Sequence, residues 1–195
     1  MVRPAVRRFT VDDYHRMAEA GILMEDDPVE LISGEILEKS PITPRHVWCT
    51  IRLNHLLIPQ LGDGLLASPR NPIRLSDDSE PEPDFAVIRD RPYEELPTAA
   101  DVLLVIEVAD TSQEYDRSVK LPLYAAAGIP ELWLIDLAAA TVERHTDPGK
   151  GYYRLTVLAL RGESLSSAVL PDLTIAVDDV LGQAPRHPGH RRANA

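Results

Sequence analysis

The protein has 195 residues, the size of one domain with room for a sizeable core. Apolar residues make up 44% and charged residues 26%, the balance of an ordinary globular domain. Twenty Lys and Arg stand against 31 Asp and Glu, a formal net charge of −11, which argues against a generic basic nucleic-acid binder and against docking on an anionic membrane. The charge is uneven: Arg186, Arg191 and Arg192 lie in 184–195 with no acid, so the body is more acidic than the total. A solvated acidic surface explains this; so does a set of carboxylates gathered round a metal ion. Cys49 is the only cysteine, so no internal disulfide forms, and a reduced, cytoplasmic setting is expected. The longest apolar runs are about one strand long, too short to span a bilayer.

Thr10 reads as a helix N-cap, with Asp12 and Asp13 in the first turn and Gly21 as the stop. Two short runs, 29–32 and 35–38, flank Ser33-Gly34 and read as a hairpin. Thr43 and Pro44 open a long helix in which Val47, Ile51, Asn54, Leu57, Ile58 and Leu61 recur at helical spacing, with Pro59 bending or ending it. Strands follow at 65–67, 73–75 and 84–88. Residues 102–108 form a nearly continuous apolar run, the pattern of a strand buried on both faces, interrupted only by Glu107. Residues 114–127 read as a helix stopped by Gly128 and Pro130, with Pro122 kinking it or sitting near its start. Strands at 132–135, 141–145 and 152–158 and a short helix at 178–181 complete the chain. These elements describe one α/β domain over 1–183, a mixed sheet flanked by helices, and a basic tail, 184–195, expected to be disordered.

Two acids stand where an acid is expensive. Asp84 opens an apolar strand after Pro83, and Glu107 sits inside Val105-Ile106-Glu107-Val108. A lone buried carboxylate costs several kcal/mol, on the order of magnitude, unless it is paired, neutral or metal-bound. Strand-end solvation accounts for Asp84 taken alone; Glu107 fits solvation and burial equally. Together, at the ends of adjacent central strands, they would converge as hard oxygen ligands suited to Mg²⁺ or Mn²⁺. Asp116, Lys120 and Tyr124 recur every four residues on the following helix. An exposed i, i+4 ion pair is one reading. The chain has only three Lys among its 20 basic residues, which favours a compact ammonium placed for a purpose, pointing back toward Glu107.

In order and spacing these segments resemble the PD-(D/E)XK nuclease superfamily, and more closely its Uma-type restriction endonuclease family. The matching stretches are Glu30-Leu31-Ile32-Ser33-Gly34-Glu35-Ile36, Ser40-Pro41 through His46, Pro81-Glu82-Pro83-Asp84-Phe85 and Val105-Ile106-Glu107-Val108. They continue through Asp116, Lys120, Tyr124, Ala127-Gly128-Ile129-Pro130-Glu131 and Trp133-Leu134-Ile135-Asp136. The resemblance implies a restriction-endonuclease-like αβββαβ core with additional antiparallel strands. It implies Mg²⁺- or Mn²⁺-dependent cleavage of DNA that leaves a 5′-phosphate. Asp84 and Glu107 would hold the metal, with the Val108 carbonyl completing the shell. Glu30, with Glu35 as competitor, would be a further acid at the metal. Lys120 would orient the attacking water or stabilise the transition state. His46 would lie near the phosphate or a water; a helix-start histidine satisfied by a neighbour explains it as well. The superfamily's lysine usually stands two residues after the glutamate, where this chain has Ala109. Cutting both strands of a duplex favours two-fold symmetry, so a homodimer is the expected assembly. Two other readings stay open: a binding or assembly module that kept the fold without turnover, and a nuclease of RNA or branched DNA.

Overall fold

The computed structural model describes residues 6–24 and 26–182. The basic tail expected at 184–195 lies outside them. Helix α1 (Val11–Glu19) starts where Thr10 and Asp13 form a reciprocal capping box, a motif worth roughly 1 kcal/mol. Strands β1 (Val29–Ile32) and β2 (Glu35–Glu38) pair antiparallel through a turn in which Ser33 (φ 50°) and Gly34 (φ 78°) are both left-handed. That pair of conformations matches the strand twist. A side chain at position 34 would also meet the Arg8 Cβ at 2.5 Å, so glycine is required twice over.

Helix α2 (Pro44–Leu57) is capped by the Thr43 hydroxyl and passes into a 3₁₀ turn, Ile58–Gln60, at Pro59. Its packed face is Cys49, Leu53 and Leu57, whereas Val47, Ile51 and Ile58 point outward. The helix carries two apolar stripes, and sequence periodicity had weighted the solvent-facing one.

Strands β3 (Leu65–Ser68), β4 (Phe85–Arg89), β5 (Val102–Ala109), β6 (Glu131–Asp136), β7 (Thr141–Pro148) and β8 (Tyr153–Ala159) form one sheet in that order. Only β5 and β6 pair in parallel. A parallel pair needs a crossover, and the helical segment 113–126 supplies it. The succession α2, β3, β4, β5, crossover, β6 is an αβββαβ core; β7 and β8 extend it antiparallel. The strand expected at 73–75 is absent: Ile73 and Leu75 are tied to a loop, and Arg74 makes only an isolated bridge to Thr98. Strands β9 (Ser164–Ser166) and β10 (Thr174–Ala176) pair separately, and helix α5 (Val177–Leu181) follows.

Alternation along β5 divides the core. Leu104, Ile106 and Val108 face α2 and α5 with Trp133 and Ile135. Val105 and Ala109 face the crossover helix with Leu132, Leu134, Tyr124, Ala125 and Ile129. Glu107 lies between Val105 and Ala109 in the strand and therefore faces the crossover. Asp84 alternates with Phe85 in the same way and shares that face with Ala86.

Candidate active site

The crossover is not one regular helix. A turn of α-helix, α3 (Gln113–Tyr115), leads into a π-helical stretch, Asp116–Lys120, and then α4 (Leu121–Ala126). The Leu121 N–H reaches back five residues to the Asp116 carbonyl. Pro122, which has no N–H to donate, sits at the start of α4, where a helix tolerates it. The Ser118 hydroxyl donates to the Glu114 carbonyl at 2.6 Å. Arg117 reaches the other way, to Glu143 on β7 at 2.7 Å and Asp136 on β6 at 3.3 Å, and so fixes the π turn to the sheet. π turns are rare and are frequent at functional sites.

This winding turns Asp116 and Lys120 inward, and both are buried. They are not the exposed ion pair that their spacing allowed. Asp116 accepts from the Ser112 hydroxyl at 2.6 Å. The Lys120 ammonium lies 3.2 Å from Glu107 Oε1 and 3.4 Å from Glu30 Oε1. The Tyr124 hydroxyl donates to the same Glu107 oxygen at 2.7 Å. Glu107 Oε2 has no hydrogen-bond partner among the described residues. Glu30 is 2% exposed, with Oε1 accepting from the Tyr115 hydroxyl at 3.2 Å and Oε2 from the Glu82 N–H at 3.2 Å. Its competitor Glu35 lies on the surface, paired with Arg8.

Asp84 stands just ahead of β4. Its Oδ2 accepts from the Val108 N–H at 2.8 Å, which ties it to the residue after Glu107. Its Oδ1 lies 2.9 Å from His46 Nε2. A carboxylate can only accept, so Nε2 carries the hydrogen. His46 Nδ1 is buried and has no hydrogen-bond partner among the described residues.

Glu30, His46, Asp84, Glu107, Val108 and Lys120 all line one cleft of about 270 Å³. Seven acids line it in all, against Lys39, Arg70 and Lys120. Burial pushes the Glu107 carboxyl up to about 8; the Lys120 ammonium pulls it down, and the Asp84 and Asp116 charges push it up. Burial alone would lower the Lys120 pKa, but Glu107, Glu30, Asp116 and Asp84 outweigh it and hold the ammonium protonated. Burial, then the neighbouring Glu30, raises Tyr115; burial, then Glu107, raises Tyr124; both phenols stay donors. Among the described residues, no group of three or more His, Cys, Asp and Glu side chains is arranged to hold a metal ion. Two carboxylates and a carbonyl can suffice for Mg²⁺, which keeps several of its waters and takes one or two carboxylates rather than a full protein cage. The donor set of Asp84, Glu107 and the Val108 carbonyl is all hard oxygen and fits that ion.

A family model, Uma2, with the description "Putative restriction endonuclease", matches residues 11–178. The chain belongs to the Uma2 family. That match spans every cleft residue named above. The chain is also similar to the crystal structure of a protein from Anabaena variabilis titled a putative nuclease belonging to DUF820. The TM-score is 0.66 at 18% identity, over 89% of this chain and 97% of that one. At that identity the likeness speaks for the fold, and the fold is nuclease-like. No curated protein matches. No helix among the described residues is long and apolar enough to cross a membrane.

Sequence reasoning left out several residues that hold the cleft side chains in place. Tyr115 and Glu82 carry no spacing signal of their own, because they act on Glu30 from 85 and 52 residues away. Tyr124 did carry one, the four-residue step from Lys120.

Proposed function

We propose that the protein is a Mg²⁺- or Mn²⁺-dependent endonuclease that hydrolyses phosphodiester bonds of DNA. The observation that carries this reading is the buried Lys120 ammonium between Glu107 and Glu30, beside Asp84, at the floor of an open cleft. Asp84 and Glu107 would hold the ion with the Val108 carbonyl, and Glu30 would be a further acid beside it. A bound divalent ion supplies Lewis-acid polarisation of the phosphate and lowers the pKa of water.

The chain's own groups do the rest. Tyr124 and Lys120 fix Glu107 through one oxygen and leave the other without a hydrogen bond among the described residues. His46 and the Val108 N–H fix Asp84 through its two oxygens, one each. Tyr115 and the Glu82 N–H fix Glu30. Lys120 orients the attacking water and offsets the negative charge that grows on the phosphoryl oxygens during in-line displacement. Its positive charge is already in place, so little reorganisation accompanies the reaction. Cleavage of both strands calls for two copies, and we place the active form as a homodimer.

The test is cleavage of plasmid and single-stranded DNA with Mg²⁺ or Mn²⁺ by the wild type, Asp84→Ala, Glu107→Ala and Lys120→Ala. The wild type cleaves and the variants lose at least 100-fold, on the order of one lost electrostatic group. Equal rates in all four proteins refute the site. Sedimentation at working concentration tests the dimer.

A further inference from the structure

The cleft floor is acidic, yet a nucleic-acid strand is a polyanion, so something at the mouth must hold it. The cleft has three cations, and Lys120 is committed to the carboxylates of the floor. The other two, Lys39 and Arg70, converge on Glu82. Lys39 Nζ lies 2.6 Å from Glu82 Oε2, and Arg70 Nε lies 3.6 Å from Glu82 Oε1.

Arg70 is held in an uncommon way. It stands in the turn after β3 with φ 53°, a left-handed conformation that a branched or long side chain rarely adopts. Asn71 pins that turn by donating to the Ser68 hydroxyl and the Pro69 carbonyl, both at 3.2 Å. The Arg70 guanidinium makes no hydrogen bond among the described residues, and its ion pair with Glu82 is long. A strained backbone thus presents a planar five-donor fork, unspent, beside an ammonium on the same wall of the cleft. The single carboxylate between them has the charge and size of one phosphate arm.

Resting on the nuclease reading above, we infer that Lys39 and Arg70 form a phosphate clamp. They grip one backbone phosphate of the nucleic-acid strand next to the scissile position, with Glu82 holding the Lys39 ammonium and facing the Arg70 fork until the strand arrives. The clamp gives a −11 protein its grip on a polyanion: two preformed cations at the mouth instead of a broad basic face. Glu82 is the competitor that keeps them apart from other anions, and its backbone N–H stays on Glu30 throughout.

The experiment measures binding without turnover. Fluorescein-labelled duplex and single-stranded DNA are titrated by anisotropy from 50 to 200 mM salt, with Ca²⁺ in place of Mg²⁺. Cleavage with Mg²⁺ is assayed in parallel. Each lost phosphate contact removes about 0.9 from the slope of log K against log salt on duplex and about 0.7 on single strands. Lys39→Gln with Arg70→Gln, which removes the grip on that one phosphate, therefore flattens the duplex slope by about 0.9. Over a fourfold salt change the wild type then loses about 3.5-fold more affinity than the double variant. Arg70→Lys keeps the slope but weakens binding, because it retains charge and loses the fork. Glu82→Gln binds more tightly than wild type at every salt. Arg154→Gln, whose partner Asp147 lies on β7, leaves the slope unchanged and controls for bulk charge.

An unchanged slope in the double variant, with cleavage retained, overturns the clamp and leaves the nuclease reading standing. A flattened slope in a protein that cleaves nothing supports the clamp and removes the nuclease reading. A wild type that binds neither probe overturns the clamp.

Discussion

Glu107→Gln should make the protein more stable at alkaline pH relative to wild type, while abolishing cleavage. Glutamine is nearly the same size, and its carbonyl oxygen can still accept from Tyr124 and Lys120. What it removes is the titration. The Glu107 carboxyl rises from an ordinary 4.5 to about 8 in the folded protein, chiefly because it is buried. Between those values the folded state holds a proton that the unfolded chain has released, so stability falls as pH rises. The full effect of one such proton is roughly 1.4 kcal/mol per pH unit. At 3% exposure solvent screens little of it, so a loss of roughly 5 kcal/mol accumulates between pH 4.5 and 8. The glutamine variant does not pay that penalty. Urea unfolding in EDTA, at half-unit steps from pH 5 to 9, reads both proteins. The difference between them should widen by about 1.4 kcal/mol per pH unit up to pH 8 and then level off. Parallel profiles, or a wild type that gains on the variant as pH rises, would refute the argument.

Mg²⁺ at 100 times its Kd should stabilise the wild type by about 2.7 kcal/mol and leave Asp84→Ala/Glu107→Ala unmoved; calorimetry and thermal melts in Mg²⁺ and EDTA read it. Tyr124→Phe should cost about 1–3 kcal/mol, because it strips a charge-assisted donor from buried Glu107; urea unfolding at pH 8 measures the loss. At the other end of the pH scale, hydrogen bonding from His145 holds Glu143 down at about 2 against its burial, with Arg117 adding to the pull. That lowered value stabilises the fold above pH 4.5 and the benefit disappears as pH falls toward 2. Glu143→Gln should therefore be the less stable protein by about 2 kcal/mol at pH 6, and the gap should close near pH 2.

Much of the fold was legible because local chemistry and burial agree. The 102–108 apolar run became β5, a strand covered on both faces, and its single acid became the cleft's floor. Thr10, Thr43 and Ser33-Gly34 each do in the structure what their residue types favour. Legibility failed where partners come from far away. Glu131 reads as a polar residue ahead of a strand, yet it is fully buried, accepting from Ser167 Oγ, Ala168 N, Val169 N and the Trp133 indole. Those donors lie more than 30 residues on, apart from Trp133, and no local pattern encodes them. The π turn was hidden for another reason. Its spacing of Asp116, Lys120 and Tyr124 also fits an ordinary helix, and only Pro122 hinted at a local irregularity. Of the cleft, the sequence pointed to Glu30, His46, Asp84, Glu107 and Lys120, which the fold brings together; the tyrosines and the Glu82 backbone that hold them in position depend on tertiary contact.

Ala109 is fully buried against the crossover, so the strand has no room for a long side chain there. Lys120 delivers an ammonium to the same carboxylate from the opposite layer, 13 residues later. The charge is thus specified by a location in space rather than by a distance along the chain. A search keyed to strand spacing would pass over this chain as lacking its lysine. A search keyed to which backbone can reach Glu107 would find an ammonium there.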